Sequence, residues 1–183
     1  MGAAMALMYS AANPERIKKQ VLIENLGPIP AYEEGTATEN LREALDQWTK
    51  HSTKHKHYYD SIDEALKVRL SATPMKAELL KPLVIRGLKK TKKGYRWRTD
   101  KRLRLRSLVR YSEEVVQDFL SSKKPVTQVI IAQPKTYALN YPRAEERLLK
   151  LNPAETVKIK GHHHLHMDNA ETVVKTIKAF LKK

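Results

Sequence analysis

The stretch VKIKGHHHLHMDNAETVVKTIKAFL, residues 157–181, holds a strand, a turn and a helix in close succession. Glu155–Lys160 alternates polar and apolar residues, which predicts a strand. Gly161 and a histidine-rich turn follow it. From Asp168 to Leu181 apolar residues recur with helical spacing, which predicts an amphipathic helix. The residues of its apolar face are Val173, Val174, Ile177, Phe180 and Leu181.

The sequence on the N-terminal side of this stretch also alternates between strands and helices. Residues 126–132, VTQVIIA, predict a strand, and residues 142–151 predict a helix. Residues 1–12 are small and apolar all round, which is typical of a buried helix, and residues 21–23 predict another buried strand. This order predicts an α/β fold, with a parallel sheet flanked by helices and an inserted helical cap.

The middle of the chain is strongly charged and helical in pattern. Ser61 and Glu64 form a capping box that predicts a helix ending near Ala72. A second helix is predicted to begin at Thr73, and Ser112 is predicted to cap a third.

We therefore divide the chain into three segments. Residues 1–32 are a first core segment, residues 33–122 are a helical cap, and residues 123–183 are a second core segment.

Length and composition limit the class of protein. A chain of 183 residues can build one domain with a sizeable core. It contains no cysteine, which excludes disulfides and thiolate metal sites and is compatible with a reducing compartment. No segment is apolar for long enough to span a bilayer, and residues 1–8 lack the features of a signal peptide. We expect a cytoplasmic protein.

Three segments carry a resemblance to a known family. They are residues 1–28, the strand at 126–132, and residues 157–181. In this order they resemble the C-terminal part of an α/β-hydrolase fold protein. The pattern H-x-x-H-M, which begins at His163, is most similar to the serine hydrolase-like branch of that family, as is the stretch Tyr95-Arg96-Trp97-Arg98-Thr99-Asp100.

The resemblance implies that the chain begins one residue after the nucleophilic serine of a Gly-x-Ser-x-Gly elbow. Met1 matches the position whose N–H serves the oxyanion hole, and Gly2 matches the last glycine of the elbow. None of the serines in the chain has an elbow around it. We therefore expect the chain as it stands to be inactive, although the lineage is one of ester or similar acyl hydrolysis.

The resemblance also implies a catalytic base among His162, His163, His164 and His166. Counted back from Asp168, the catalytic position is His163, and His166 matches a histidine with a packing or hydrogen-bonding role. The alternatives are a solvated loop or a metal site, but adjacent histidines rarely converge on one ion. We expect no metal and no cofactor.

The acid of the predicted site is displaced from its usual position in the family. The loop at 133–140 contains no Asp or Glu. Some α/β hydrolases carry the acid after the preceding strand instead, and Glu24 stands there. Glu24 could alternatively cap the turn that follows it or pair with an arginine of the cap. Asp100 is the weaker candidate, because it is flanked by arginines with which it can pair.

The net charge of +15 is concentrated in residues 89–110, which contain eleven Lys or Arg and one acid. Aromatic residues among cations can stack bases, so nucleic-acid binding is one interpretation. The other is a cap strap in which Leu103 and Leu105 alternate with arginines along a half-buried extended segment. The resemblance favours the strap, so nucleic acid is not expected as a partner.

Three hypotheses about function remain open at this point. The chain is a piece of a longer serine hydrolase acting on a small acyl substrate, a short binding or scaffold protein whose partner supplies missing strands, or a basic nucleic-acid-binding protein. An unpaired strand edge invites association, so we also expect a homo-oligomer or poor solubility.

Overall fold

The computed structural model describes residues 2–29, 35–51, 57–73, 75–134, 136, 139–140 and 143–183, with Lys101 described by its backbone alone. The chain forms two compact units. The core unit comprises Met1–Ala31 and Arg110–Lys183, and the helical unit comprises Tyr32–Val109. None of the described helices is both long and apolar enough to cross a membrane.

The helices and strands are, in chain order, α1 (Gly2–Ala12), β1 (Lys19–Ile23), α2 (Ala37–His51), α3 (Ile62–Ser71), α4 (Ala77–Gly87), β2 (Leu88–Thr91), β3 (Gly94–Trp97), α5 (Glu113–Ser121), β4 (Val126–Gln133), α6 (Ala144–Leu151), β5 (Glu155–Lys160), α7 (Leu165–Asp168) and α8 (Ala170–Lys182).

The core unit contains a parallel sheet with the strand order β1-β4-β5. β4 lies in the centre, and six consecutive residues of it, Thr127–Ala132, are buried because helices cover both of its faces. In the described residues β1 pairs with β4 alone, so its other edge carries no strand.

Successive side chains of a strand point to opposite faces of the sheet, so helices can pack on both faces. The sheet is therefore the middle of three layers. On one face Leu22, Val129 and Ile131 pack with residues of α1, α5 and α6. On the other face Ile130 and Ala132 pack with residues of β5, α7 and α8. This arrangement confirms the predicted α/β fold with a parallel sheet flanked by helices.

Helix α1 runs antiparallel to β1. In its last turn Ser10 Oγ donates to Gln20 Oε1 at 3.0 Å, near the start of the strand. Leu7, one turn earlier, packs with Leu22 and Leu26, in and just beyond the end of the strand. The N-terminus of α1 therefore lies at the end of the sheet where the parallel strands terminate.

The helical unit has a small core of its own, in which α3, α4 and the hairpin β2–β3 pack together. The predicted cap of α3 is present, since Ser61 Oγ accepts from Glu64 N at 3.0 Å. Helix α2 is linked to a later segment, because Trp48 Nε1 donates to the carbonyl of Arg106 at 2.9 Å.

The hairpin and the segment after it differ from the sequence prediction. The pattern indicated helices and one extended strap, whereas residues 88–97 form two antiparallel strands. The predicted extended segment with Leu103 half-buried was wrong, because Lys101–Arg104 forms a 3₁₀ turn and Leu103 is 60% exposed. The turn is held by Asp100, whose side chain accepts from Arg102 N at 2.9 Å.

Several helix boundaries and buried helix faces also differ from the sequence prediction. Helix α4 begins at Ala77 rather than at Thr73. The last helix is split, because α7 ends at Asp168 and α8 begins two residues later. Val174 and Leu181 are about half exposed, so the apolar face of α8 is narrower than predicted. The predicted all-round burial of α1 was wrong, since only one face of it packs on the core. Residues 110–122 lie in the core unit rather than with the helical segment.

A buried ion pair fastens the turn after β1 to α5 and α6. The guanidinium of Arg147 pairs with Glu113, and both side chains are almost fully buried. Arg147 Nη1 also donates to the carbonyls of Leu26 and Pro28, at 3.3 and 2.9 Å. The Arg147 guanidinium holds the pKa of Glu113 below its ordinary value. The turn adopts a positive φ of 103° at Gly27, a conformation that glycine tolerates best.

Replacing Arg147 with Met should strongly destabilise the protein. The substitution leaves the Glu113 carboxylate buried without its cation, and breaking a buried pair in this way costs about 3–5 kcal/mol. The measurement is the free energy of unfolding from urea denaturation followed by circular dichroism. The matched control is Arg143→Met, which removes an exposed pair with Glu146 (3.8 Å) and should cost less than about 1 kcal/mol. Equal losses in the two variants would contradict this account.

The stability should also depend on pH through Glu113. Because its folded-state pKa is lowered, the unfolded state binds the proton more readily, and the contribution of Glu113 is complete above the ordinary value of 4.5 and is lost as pH falls through the folded pKa. Glu113→Gln removes this titration and should show a shallower loss of unfolding free energy below pH 4.5 than the wild type. The exposed substitution Glu171→Gln serves as control and should leave the wild-type slope unchanged.

Candidate active site

Glu24 lies immediately after β1, at the carboxyl end of the sheet. Its backbone N–H donates to the carbonyl of Ile130 at 2.9 Å, which continues the pairing with β4. Its φ is 53°, in the left-handed region that costs a non-glycine residue about 1–2 kcal/mol. The side chain is only 1% exposed. Because strained backbone conformations cluster at functional sites, this buried carboxylate is a candidate functional group.

The carboxylate of Glu24 is held by the end of β4 and the loop that follows it. Oε1 accepts the backbone N–H of Ala132 at 2.5 Å. Oε2 accepts a short hydrogen bond from the hydroxyl of Thr136. Burying a carboxylate is costly unless it is hydrogen-bonded or paired, and these two donors supply part of that compensation.

His163 supplies the third contact to Glu24. It lies in the turn between β5 and α7, and its Nδ1 is 3.5 Å from Glu24 Oε2. The turn begins at Gly161, whose N–H donates to the carbonyl of Gln133 at 3.3 Å. The imidazole is 32% exposed, although Nδ1 itself is buried. One ring nitrogen therefore faces the buried carboxylate while part of the ring remains accessible.

The other histidines of the turn have different surroundings. His162 Nδ1 is 3.2 Å from Asp168 Oδ2, and the same oxygen accepts the backbone N–H of His162 at 2.8 Å. The ring of His164 packs against those of His163 and His166, with centroids 5.2 and 5.9 Å apart. Among the described residues, no group of three or more His, Cys, Asp or Glu side chains is placed to hold a metal ion.

The structure thus brings together two of the residues that the sequence singled out, Glu24 and His163. Asp100 lies in the helical unit, and its two carboxylate oxygens accept from Nε and Nη2 of Arg102, which lowers the pKa of Asp100 to about 2. Met1, predicted to serve the oxyanion hole, lies outside the described residues.

Sequence reasoning missed one polar group of the site. Thr136 donates to Glu24 from the loop at 133–140, where the family usually carries its acid. That loop contains no Asp or Glu, and the sequence prediction gave its remaining polar residues no role. A hydroxyl in the customary place of the acid was the available signal, because a displaced carboxylate needs donors around it.

The geometry can orient an imidazole for proton transfer. A carboxylate near Nδ1 favours the neutral tautomer that carries its proton on Nδ1, which leaves Nε2 free to accept a proton from another group. The buried position of Glu24 keeps water from competing for that contact.

Comparison with known proteins shows what the chain as a whole is similar to. No protein-family model matches the chain. A serine hydrolase-like protein of Danio rerio is 26% identical over 195 residues, a match that covers 100% of this chain and 58% of the relative. The chain therefore spans less than two thirds of the length of that relative.

Solved structures share the same architecture. A hypothetical protein of Pseudomonas aeruginosa PAO1 is 29% identical with a TM-score of 0.89, and the match covers 99% of this chain and 64% of that protein. The thioesterase domain of the curacin biosynthetic pathway is 24% identical with a TM-score of 0.76, over 96% of this chain and 61% of that domain. The second likeness concerns the fold alone.

Substituting Glu24 should change the tautomer of His163. In the wild type we expect the neutral ring to be protonated on Nδ1, because the Glu24 carboxylate lies 3.5 Å from that nitrogen and can accept from it. In Glu24→Gln the amide can donate as well as accept, so the Nε2-protonated form should gain population. Long-range ¹H–¹⁵N spectra of the histidine rings measure both forms.

The control for this prediction is Asp168→Asn, which alters the partner of His162. It should shift the ring signals of His162 and leave the tautomer of His163 as in the wild type. A wild-type His163 ring protonated mainly on Nε2 would contradict the assignment.

Proposed function

This chain belongs to the α/β-hydrolase fold family and is of hydrolase lineage; on that premise we propose that Glu24 and His163 are the acid and base of a hydrolytic site for esters or similar acyl compounds. The observation that carries the proposal is the 3.5 Å distance between His163 Nδ1 and the buried Glu24 Oε2. The name of the Danio rerio relative, a serine hydrolase-like protein, supports the same reaction class.

In the proposed mechanism, Glu24 holds the imidazole and stabilises its positive charge. Nε2 of His163 removes the proton of a serine hydroxyl as the serine oxygen attacks the acyl carbon. It then gives that proton to the leaving alcohol. Water attacks the acyl-enzyme in the same way, and the carboxylic acid leaves as the serine is restored.

The nucleophile of this mechanism has no counterpart in the sequence, which contains no Gly-x-Ser. We propose that the serine comes from outside these 183 residues, either from a longer form of the chain or from a partner. The fold has a suitable place for it. Glu24 and the N-terminus of α1 lie at the same end of the sheet, and helix N-termini stabilise developing oxyanions.

The edge of β1 supports the same proposal. In the described residues no strand pairs with that edge, although the strand is part of the core. A strand added there in parallel would end beside Glu24 and the start of α1. A partner or a preceding segment could thus supply the missing serine and cover the edge together.

A non-catalytic binding protein is the second candidate function. The observation that favours it is the lack of a Gly-x-Ser motif, since a positioned base without a nucleophile provides only weak catalysis. The two candidate functions predict different results when a serine-bearing segment is present. The first predicts hydrolysis of esters, and the second predicts no hydrolysis.

The 183-residue chain should not react with a fluorophosphonate probe, because the probe requires an activated serine. The measurement is in-gel fluorescence followed by mass spectrometry of the labelled peptide. Labelling at any serine of the chain would refute the assignment of the site.

A longer form should be active if the DNA upstream of the Met1 codon encodes an in-frame Gly-x-Ser. In that form, hydrolysis of p-nitrophenyl esters should fall by roughly 10²–10⁴-fold in His163→Ala. A fall of similar size is expected in Glu24→Gln. His166→Ala is the matched control and should retain most of the activity. Full activity of His163→Ala would overturn the proposal.

A further inference from the structure

A cleft in the helical unit has a composition that the hydrolytic site does not explain. Its volume is about 260 Å³. Its lining residues are Arg69, Leu80, Leu83, Val84, Trp97, Thr99 and Arg104. Leu80 and Val84 are buried, whereas Leu83, Thr99 and Arg104 are exposed. An apolar wall therefore meets two cations and a hydroxyl at the surface.

The aromatic wall of the cleft is Trp97, which contacts Gly87 and Tyr59. The indole of Trp97 lies against Gly87, where a β-carbon would come within 2.7 Å of the ring. Trp97 Nε1 donates to the hydroxyl of Tyr59 at 3.2 Å, so the polar edge of the ring is already engaged. The remaining surface of the indole is apolar.

The two arginines of the cleft have no carboxylate partner among the residues that the structure describes. In the described part of the chain, no carboxylate lies within ion-pair distance of Arg69 or Arg104. Asp100, four residues before Arg104, is engaged by Arg102 at 2.7 Å. Asp63, on the same helix as Arg69, pairs instead with Lys81 at 3.7 Å.

We propose that this cleft binds a small carboxylate with a short apolar chain. The planar guanidinium groups match the geometry of a carboxylate, and the Thr99 hydroxyl can add a hydrogen bond. The chain of the ligand lies along Trp97 and Leu83, and its contact removes apolar surface from water. The volume is below the ordinary range for drug-sized ligands, which favours a compact molecule such as hexanoate.

The experiment is a titration of the 183-residue protein with sodium hexanoate, followed by ¹H–¹⁵N spectra. The indole N–H of Trp97, assigned with Trp97→Phe, should shift saturably with a dissociation constant on the order of 1 mM. Hexanol tests the need for the negative charge, and inorganic phosphate tests the need for the apolar chain. Both should bind at least about five-fold more weakly than hexanoate.

The variant is the double substitution Arg69→Gln with Arg104→Gln, which should weaken hexanoate binding by roughly five-fold or more. Arg86→Gln is the matched control, because Arg86 is an exposed arginine of α4 that does not line the cleft. Dispersed spectra establish that each variant is folded. The proposal is overturned if the Trp97 signal does not saturate, if hexanol or phosphate binds as tightly as hexanoate, or if the double variant binds like the control.

Discussion

The burial of the Glu24 carboxylate is the constraint on which the core of this molecule depends. Moving an ionised carboxylate out of water costs several kcal/mol unless donors surround it. Here two donors come from the backbone of β4 and the hydroxyl of Thr136. The ring of His163, in the turn after β5, lies 3.5 Å from the same carboxylate. Each of these contacts requires β1, β4 and β5 to lie side by side in their observed register. The Glu24 carboxylate thus contacts both the end of β4 and the turn after β5 that carries His163.

A second buried charge stabilises the segment that follows Glu24. Arg147 and Glu113 pair between α6 and α5, and the arginine also binds two carbonyls of the turn after β1. The turn can therefore leave the sheet sharply at Glu24 without leaving its own carbonyl groups unsatisfied. Glu24 and Arg147 make hydrogen bonds at and just after the end of β1. These bonds offset the strain of the positive φ at Glu24.

The two units of the chain use charge in different ways. In the core unit the buried charges are paired and organise the backbone. In the helical unit most charges are exposed and several cations have no carboxylate nearby among the described residues. The like-charged residues Lys89 and Arg96 face each other across the hairpin, an arrangement that reduces stability. The proposed carboxylate site lies where this surplus of cations meets an apolar wall.

The sequence by itself determined the order of elements in the core. Apolar runs identified the buried strands, because a strand buried on both faces is rich in apolar residues, as at 129–132. Local chemistry predicted the caps at Ser61 and Ser112, since a cap depends on residues within one turn. Glu24 and His163 were predicted from a family resemblance.

What the tertiary structure decided were the features that depend on distant partners. The hairpin at 88–97 forms because its strands pack on α3 and α4, which outweighs the helical pattern around it. The role of Thr136 and the pairing of Arg147 with Glu113 could not be read from spacing, because their partners are 112 and 34 residues away. Side chains so far apart in sequence meet only when the sheet and its helices have packed. The physical reason is that a buried charge must be paired or hydrogen-bonded, and the tertiary structure decides which partner lies near it.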